Sequence, residues 1–424
     1  MMSDKYISHF SDAYRPKIDG VSVSLELLHN ELSHRDIAHD VYVPKTPGEY
    51  TDDDNIFRFS SIPLLFQPEI RFSVPLDVSN LKRAYSKHYS LVHSHSPGPM
   101  GLLAWQVAKL HRLPHIHTFH MYIPEYGHYI FDGKVLSKDA LDELSQWWGQ
   151  RSDVIIAPSM KIYNWLKRIG VTKEMHVIPS GIDRESFSEG QTNARYLIEH
   201  GFVNEDDFVL LFVGRVAHEK AIGKIFTYLS HLPESKRVGL KCVVVGGGPE
   251  LPEFKIMASK AGLDGVVVFT DYIPVPDVKH AYASADVFGF VSTSETQGLV
   301  VTEAMAAGLP LLISSDDAYT GMLEDGENGY VSDSVDSFNK GLLALMGDQH
   351  KRRQFSAKSI ELSKRFDIGF TIESLLTLYE NVQDEYRVLN GPPRFASEVV
   401  NQYRQYMHDS MSEIRARLKK YVQT

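Results

Sequence analysis

The amino-acid sequence predicts an α/β fold made of two doubly wound domains. The chain has 424 residues, more than one ordinary hydrophobic core accommodates, so two domains are expected. Short apolar runs typical of buried strands alternate with helical patterns, first over residues 1–180 and again over residues 184–370. This alternation is typical of parallel sheets covered by helices, and we therefore predict two Rossmann-like domains facing a central cleft.

Composition and charge narrow the class of protein. An apolar content of 43% and a charged content of 23% are globular values. The net charge of −10 is unevenly spread, because the first 180 residues carry 19 Lys and Arg against 20 Asp and Glu, and the remainder carries 25 against 34. An acidic second half argues against nucleic-acid binding, which needs a basic surface. The near-neutral first half could approach an anionic surface.

Cysteine usage and hydropathy predict the compartment. Cys242 is the only cysteine, so an intramolecular disulfide is excluded. The first six residues lead directly into a strand-like segment without the apolar region of a signal peptide. Apolar runs are far shorter than the roughly 20 residues of a spanning helix. We expect a cytoplasmic protein, or one that lies peripherally on the inner face of the cell membrane.

Residues 291–304 dominate the functional interpretation. The apolar run 285–291 predicts a buried strand, and a short helical pattern ends at Gly308. The polar loop between them then lies at the carboxyl end of a strand, where open α/β sheets bind ligands. The N-terminus of the following helix offers backbone N–H groups and a positive dipole end, both suited to phosphate.

Two carboxylates, Glu295 and Glu303, bracket this loop and helix start. Each can hold a vicinal diol through two acceptor oxygens. A ribose diol and a hexose diol, with phosphates between them at the helix end formed by Gly298, Leu299 and Val300, would describe a nucleotide sugar. The same residues fit an ordinary capping run in which Glu303 only complements the helix dipole. Spacing alone leaves both interpretations open.

The pattern Glu295-x7-Glu303 resembles the signature of retaining family-4 glycosyltransferases, and the segment 292–298 is most similar to bacterial 1,2-diacylglycerol 3-alpha-glucosyltransferases. The resemblance covers roughly residues 1–385. It implies a GT-B fold in which residues 1–180 bind the acceptor and residues 184–370 bind the nucleotide sugar. Helices from about 371–424 would then cross back to the first domain.

Further residues match motifs of this family. The predicted strand 208–213 leads to Arg215 and Lys220, for which the resemblance implies a phosphate-binding pair with a bidentate fork and a point charge. As bare charges after a strand they would otherwise be solvated surface. His120 follows a strand and maps onto the family's active-site histidine, although a histidine at a strand end is more often structural. The strand 266–273 ends at Ile273, where the family holds the uracil.

In the first half, a short strand is followed by a loop that ends with Asp19 and Gly20, directly before a helix. A glycine here lets the backbone approach a ligand closely, although a plain structural turn has the same signature. The resemblance places this loop under the donor phosphates, where many relatives carry two glycines. Residues 44–76, rich in Pro, Asp and Phe, predict an irregular excursion, and Ser79 is the predicted N-cap of the next helix.

His93 and His95 alternate along a strand and therefore share one face. A metal site would need a third ligand and an open position, so a packed, hydrogen-bonded pair without metal is the preferred interpretation.

Several segments are candidates for contact with a lipid or a membrane, and each also fits an ordinary packed element. Residues 126–130 include Tyr126, His128, Tyr129 and Ile130, which match the lipid glucosyltransferase branch of the family. The others are a helix with Lys82, Arg83 and Lys87, a helix with Lys161, Trp165, Lys167 and Arg168, and the terminal segment 391–424.

The resemblance implies a metal-independent retaining hexosyltransferase that transfers glucose from UDP-glucose to diacylglycerol at an anionic membrane surface, with no cofactor besides the donor. Glu303 would hold the ribose, Glu295 and His120 the hexose hydroxyls. Three alternatives remain: the same transfer onto a cell-wall polymer, protein or soluble sugar; a nucleotide-sugar epimerase; and a non-catalytic partner subunit. The sequence does not fix the donor sugar, the acceptor or the oligomeric state.

Overall fold

The computed structural model describes residues 6–17, 19–48, 50–64, 67–124, 137–188, 190–391 and 393. The chain forms two compact units. The first consists of residues up to Gly181 together with those from Gly369 onward, and the second runs from Ile182 to Ile368. These limits differ by a few residues from the ranges 1–180 and 184–370 derived from the sequence.

A seven-stranded parallel sheet forms the centre of the first unit, and a two-stranded antiparallel hairpin stands apart from it. The strands of the seven-stranded sheet are short and mostly buried, as expected for a parallel sheet covered on both faces. In the described residues the strands are β1 (Ile7–Phe10), β2 (His39–Pro44), β3 (Ile56–Phe59), the hairpin strands β4 (Ser61–Leu64) and β5 (Gln67–Ser73), β6 (Leu91–Ser94), β7 (His115–Thr118), β8 (Val154–Ala157) and β9 (Glu174–Val177).

Helices of the first unit connect these strands. Their starts are fixed by side-chain caps in several cases, such as Ser159, whose hydroxyl accepts from the N–H of Ile162. The helices are α1 (Gly20–His34), α2 (Val78–Ser86), α3 (Pro99–His111), α4 (Lys138–Gly149) and α5 (Met160–Arg168).

Two predictions about residues 44–79 are wrong. The segment 44–76 is not irregular, because β3 adds to the sheet beside β2 and β4 pairs with β5. The N-cap of α2 is Asp77, whose carboxylate accepts from the N–H groups of Ser79 and Asn80. Proline and aspartate suggested loops to sequence reasoning, whereas β3 and the two hairpin strands are stabilised by pairing with a neighbouring strand.

The second unit contains a six-stranded parallel sheet and its covering helices. Its core is built from apolar strand residues packed between helices on both faces. The described strands are β10 (Phe208–Val213), β11 (Leu240–Val245), β12 (Val267–Asp271), β13 (Val287–Phe290), β14 (Leu311–Ile313) and β15 (Gly329–Val331). The helices are α6 (Tyr196–Glu199), α7 (Ile222–Ser230), α8 (Glu234–Arg237), α9 (Leu251–Lys260), α10 (Val278–Ala283), α11 (Leu299–Ala306), α12 (Val335–Gly347) and α13 (Gln349–Ser363).

The chain returns to the first unit through a long helix, α14 (Ile368–Asn390). The Tyr379 hydroxyl lies 2.6 Å from Nδ1 of His93, and the Gln383 amide donates to the Ser90 hydroxyl at 3.2 Å. The predicted crossing back to the first domain is therefore confirmed for α14. Residues 394–424 lie outside the described residues.

Strand order places a switch point in each sheet. The first sheet runs β3-β2-β1-β6-β7-β8-β9 and the second β12-β11-β10-β13-β14-β15. In both, the chain moves outward from one central strand and then continues on that strand's other side, which is the doubly wound arrangement. Ligands bind such sheets at the carboxyl ends of the two strands flanking the reversal, β1 with β6 and β10 with β13. The predicted α/β class with two Rossmann-like domains is confirmed.

Within the described part of the chain, no helix is both long enough and apolar enough to cross a membrane.

Candidate functional site

The switch point of the second unit carries most of the predicted site residues. β10 and β13 pair in parallel, with Leu210 opposite Val287 and Leu211 opposite Phe288. Each strand ends in a polar segment, 214–220 after β10 and 291–298 after β13. Two segments separated by some 75 positions of sequence are thereby brought side by side.

Both predicted phosphate-binding cations form ion pairs. Nη2 of Arg215 donates to Oε1 of Glu219 at 2.7 Å, and Nζ of Lys220 donates to Oε1 of Glu295 at 2.5 Å. The Lys220 and Glu295 side chains are 22% and 12% exposed, so this pair is largely shielded from water. Two residues that the sequence assigned to the diphosphate and to the hexose are therefore direct neighbours. Sequence reasoning missed Glu219, although its position four residues after Arg215 was a usable signal.

Hydrogen bonds fasten the loop after β13 to the 3-10 turn His218–Lys220. The Ser292 and Ser294 hydroxyls donate to the Glu219 carbonyl at 3.1 and 2.7 Å. The Tyr319 hydroxyl donates to the Ser292 carbonyl at 2.7 Å. These bonds hold Glu295 beside Lys220.

Gly298 precedes α11 in the left-handed conformation, with φ of 82°. A Cβ atom at this position would lie 2.7 Å from Cε1 of Tyr319, so both the backbone conformation and the space require glycine. The alternative in which the polar run 292–296 supplies the N-cap of α11 is wrong, because the N-cap is Gly298, which has no side chain. The first N–H groups of α11, at Leu299 and Val300, have no acceptor within the helix and lie at its positive end.

Glu303 lies one turn into α11, half-buried, and accepts a hydrogen bond from the Tyr282 hydroxyl at 2.7 Å. Burial raises the pKa of the Glu303 carboxyl, and the bond from Tyr282 opposes that rise. The structure thus places Glu295 and Glu303 on either side of the start of α11.

A glycine-rich turn supports the segment that carries Arg215. A Cβ atom at Gly246 would lie 2.1 Å from the Gly214 carbonyl oxygen, and one at Gly248 would lie 2.4 Å from that of Val216. The turn therefore contacts the neighbouring backbone at two positions where it could not carry a side chain. This close packing gives Gly246 and Gly248 a structural reason.

Ile273, the predicted neighbour of the base, follows β12 and is half-buried against the core of the second unit. Beside it, Tyr272 is 69% exposed. Sequence reasoning did not single out this aromatic ring. The role of Ile273 stays a prediction.

Asp19 and Gly20 lie at the start of α1 in the first unit. The Asp19 carboxylate caps the helix by accepting from the Ser22 N–H at 2.8 Å, and it pairs with Nζ of Lys17 at 2.7 Å. Gly20 is the first helical residue and is exposed. Asp19 thus has a structural reason to be present, which accounts for the departure from a second glycine.

His120 lies two residues after β7, at the carboxyl edge of the first sheet. Its Nε2 is 3.2 Å from Nδ1 of His95, and Nε2 of His95 is 3.1 Å from Nδ1 of His9. Burial lowers the pKa of His120 to about 4, and the Asp19 carboxylate opposes that shift. The rings of His9 and His95 are buried, and desolvation holds the pKa of each well below its usual range.

His9, His93 and His95 stand close enough to suggest a metal site, with ring nitrogens within 4.8 Å of one another. The third histidine was missing from the sequence-based argument. However, both nitrogens of His93 are engaged, Nδ1 with Tyr379 at 2.6 Å and Nε2 with Thr118 at 2.7 Å. The arrangement is a hydrogen-bonded network, in agreement with the preferred interpretation of the His93 and His95 pair.

Two family models match the chain. "Glycosyltransferase Family 4" matches residues 18–186, and "Glycosyl transferases group 1" matches residues 197–362. Together the two matches cover most of the chain, which is a glycosyltransferase. Among curated proteins, this glycosyltransferase is 28% identical to the alpha-monoglucosyldiacylglycerol synthase of Acholeplasma laidlawii, over 83% of the chain and 92% of that protein. It is 29% identical to the synthase of the same name from Streptococcus pneumoniae, over 75% of the chain and 73% of the relative.

Solved structures share the fold of the glycosyltransferase. Anabaena Alr3699/HepE in complex with UDP and glucose superposes with a TM-score of 0.70 at 17% identity, covering 89% of this chain and 100% of the other. Sucrose-phosphate synthase from Thermosynechococcus elongatus gives 0.72 at 18% identity, with coverages of 89% and 99%. At these identities the likeness concerns the fold, which is GT-B.

The interfacial interpretation of α5 is wrong for its apolar face. Trp165 is 2% exposed and its indole donates to Asp142 at 2.8 Å, while Ile162 and Leu166 are fully buried. On α2, Arg83 is held by the carboxylate of Asp40, so that only part of the predicted basic face is available.

The remaining candidates for acceptor contact lie outside the described residues. These are Tyr126, His128, Tyr129 and Ile130, and the terminal segment from residue 394 onward.

Proposed function

We propose that the glycosyltransferase is a retaining hexosyltransferase that transfers glucose from UDP-glucose to diacylglycerol at a membrane surface. The observation that carries this proposal is the grouping of Lys220, Glu295 and Glu303 around the N-terminus of α11 at a switch point. Both compared relatives bear the name alpha-monoglucosyldiacylglycerol synthase, which supports the acceptor. The fold shared with HepE, solved with UDP and glucose, supports the donor.

In this proposal the donor diphosphate exchanges partners with the protein. Lys220 pairs with Glu295 and Arg215 with Glu219, so each cation already has a carboxylate beside it. A diphosphate brings more negative charge and more acceptor oxygens than either carboxylate. It therefore draws Lys220 and Arg215 toward itself, and Glu295 becomes available for a hexose hydroxyl.

The remaining contacts of the donor lie at the start of α11 and one turn into it. The diphosphate lies at the N–H groups of Leu299 and Val300, where the helix dipole favours an anion. Glu303 accepts from the ribose hydroxyls while Tyr282 holds its other oxygen. Ile273 lies at the uracil. In the first unit, Asp19 and Gly20 form the loop that the family resemblance assigns to the phosphates, and His120 contacts a hexose hydroxyl.

The reaction breaks the bond between the hexose C1 and the diphosphate oxygen, and both bonding electrons leave with the UDP. The acceptor hydroxyl forms its new bond to C1 on the same face, so the configuration at C1 is retained. The proton of the acceptor hydroxyl passes to a phosphate oxygen of the departing UDP. The negative charge that develops there is stabilised by Arg215, Lys220 and the α11 N-terminus, which are oriented before the reaction begins.

Transfer is expected to continue in excess EDTA. The reason is that Arg215, Lys220 and the start of α11 supply the positive charge that a divalent ion supplies in other transferases. The measurement is the rate of transfer from radiolabelled UDP-glucose with and without chelator, after dialysis against EDTA. A rate that collapses with EDTA and returns with magnesium or manganese would contradict this expectation.

One assay tests the function as a whole. The purified chain is incubated with radiolabelled UDP-glucose and diacylglycerol in mixed micelles, and the products are separated by extraction. Label in the lipid phase with α-configuration at C1 supports the proposal. Label in a polymer or soluble product supports the alternative acceptors, altered free nucleotide sugar supports an epimerase, and no turnover of any kind supports a non-catalytic subunit.

A different surface from those predicted is suited to the membrane. On the hairpin, Ile62 and Phe72 are cross-strand partners, exposed by 56% and 50%, and nearby in the chain Leu76 and Val78 are exposed by 74% and 78%. Residues 61–87 carry four basic and two acidic residues within a chain of net charge −10, and one of the basic residues, Arg83, is paired with Asp40. Apolar side chains flanked by cations suit an anionic lipid surface. We propose this hairpin surface as the membrane contact.

Replacing Ile62 and Phe72 together by Ser is expected to reduce sedimentation with anionic vesicles about tenfold or more. Each half-exposed apolar side chain gains roughly 1 kcal/mol on leaving water, and the two gains add. The matched control is Val238 and Ile256 replaced by Ser, since these residues are 80% and 57% exposed on the second unit.

The hairpin variant should retain transfer to diacylglycerol dissolved in detergent micelles. Vesicle binding equal to that of the wild type would remove the hairpin from the membrane contact. Absence of vesicle binding by the wild type itself would instead count against the lipid acceptor.

A further inference from the structure

A chain of three histidine rings runs from the carboxyl edge of the first sheet into its core. His120 lies on the edge, His95 follows it with its ring stacked at a centroid distance of 5.4 Å, and His9 on β1 is innermost. The two connections, Nε2 of His120 to Nδ1 of His95 and Nε2 of His95 to Nδ1 of His9, are 3.2 and 3.1 Å. His95, the middle ring, uses one ring nitrogen for each of its two neighbours.

Each of these rings is neutral near pH 7, because burial lowers the pKa of His120 to about 4 and holds the pKa values of His9 and His95 well below their usual range. A neutral imidazole has one N–H and one bare nitrogen. His95 must therefore donate to one neighbour and accept from the other. As a result, the two hydrogen bonds point in the same direction, either outward from His9 or inward from His120.

The two directions differ at the buried end. If the bonds point inward, His9 carries its proton on Nε2, for which the described residues provide no hydrogen-bond acceptor. If they point outward, this nitrogen is bare. Buried N–H groups without an acceptor are rare in proteins and cost free energy, so the outward direction is favoured.

We propose that His95 is a positioning residue that sets the tautomer of His120. With the bonds pointing outward, Nδ1–H of His95 donates to Nε2 of His120, and His120 carries its own proton on Nδ1. His120 then offers a donor N–H, rather than a lone pair, to an oxygen of the hexose. This last step depends on the proposed function, whereas the tautomer itself does not.

His93 supplies the matched control. It lies two residues before His95, is also buried, and its ring centroid is 4.1 Å from that of His95. Yet its nitrogens bond to Tyr379 and Thr118 and not to the chain of three rings. Replacing His93 by Asn perturbs the packing around His95 without altering the hydrogen bonds that join His9, His95 and His120.

Two substitutions at His95 have the same shape and opposite hydrogen-bonding roles. In His95→Asn the amide nitrogen takes the place of Nδ1 and still donates to His120. In His95→Asp a carboxylate oxygen takes that place and can only accept, so the proton of His120 must move to Nε2. His9→Asp should have the same effect from two rings away, because reversing the inner bond reverses the outer one.

The tautomer is read from two-bond proton–nitrogen correlation spectra of protein labelled with ¹⁵N-histidine, without donor or acceptor, with His120→Gln used for assignment. We expect a protonated Nδ1 and a bare Nε2 on His120 in the wild type, His95→Asn and His93→Asn. We expect a protonated Nε2 in His95→Asp and His9→Asp. A protonated Nε2 in the wild type, or no change in either Asp variant, would overturn the proposal.

Transfer assays complete the test. For variants with a melting curve like that of the wild type, kcat/KM should fall about tenfold or more in His95→Asp and stay within about threefold in His95→Asn, since one favourable hydrogen bond of roughly 1.4 kcal/mol corresponds to tenfold. A changed tautomer with unchanged kcat/KM would overturn the link to transfer. If the wild type transfers no hexose, the proposed function fails, and the spectra still decide whether His95 positions His120.

Discussion

Replacing Arg215 by Ala is expected to lower kcat/KM for hexose transfer about a hundredfold. The guanidinium is assigned to the departing diphosphate, and removal of one such charge partner costs about 3 kcal/mol of transition-state stabilisation. Folding should be little affected. The Arg215 side chain is 36% exposed and that of Glu219 10%, and loss of such a half-exposed ion pair is expected to cost on the order of 1 kcal/mol.

Arg195→Ala is the matched control for this experiment. Arg195 lies on the same unit and is also paired with a carboxylate, Glu205, at 2.6 Å, but on an exposed surface away from the switch point. Its removal should leave both the melting temperature and kcat/KM unchanged. A folded Arg215→Ala variant that turns over like the wild type would exclude Arg215 from the diphosphate site.

Replacing Glu303 by Gln is expected to reduce kcat/KM about thirtyfold to a hundredfold while leaving stability unchanged or higher. The loss follows because hydrogen bonds to a charged group contribute roughly 1.5–3 kcal/mol, and the ribose would lose its charged acceptor. The stability gain follows because burial raises the pKa of the Glu303 carboxyl. A buried carboxylate that must ionise costs free energy, which a neutral amide of the same shape avoids.

The pH dependence of stability provides a second readout for Glu303. Its pKa is raised in the folded state, so between the usual carboxyl range and the raised value the folded chain binds more protons than the unfolded chain. Stability therefore falls as pH rises through this window, and Glu303→Gln should remove that contribution.

Tyr282→Phe is the companion variant for Glu303→Gln. It removes the hydroxyl that donates to the Glu303 carboxylate, so it should lower the melting temperature, whereas Glu303→Gln should leave it unchanged or raise it. If Glu303→Gln melts well below the wild type but transfers hexose as fast as the wild type, Glu303 is a structural residue of α11 and not a ribose ligand.

Several strands were evident from sequence pattern. The apolar runs 208–213 and 285–291 predicted β10 and β13, because a strand buried on both faces is largely apolar. The cations after β10 were also marked, since they follow that strand directly in sequence.

Other features could not be predicted because they depend on which distant segments become neighbours. The sequence marked Lys220 and Glu295 as separate ligands, and only the parallel pairing of β10 with β13 shows that they pair with each other. The hairpin β4–β5 was missed because Pro63 and Pro68 suggested a loop. Trp165 fitted both a core helix and an interfacial one, and its burial against α4 decided the matter.

By itself, the sequence determined the two doubly wound domains and the chemical types present at the second switch point, because local periodicity and charge specify these, whereas the return of the chain in α14 was implied by the family resemblance. Only the tertiary structure decided which charges are paired, which apolar residues face water and how His9, His95 and His120 form one hydrogen-bonded chain. The physical reason is that ion pairs, burial and tautomers are set by distances of a few ångströms. Such distances arise between residues far apart in sequence only when the sheets have formed.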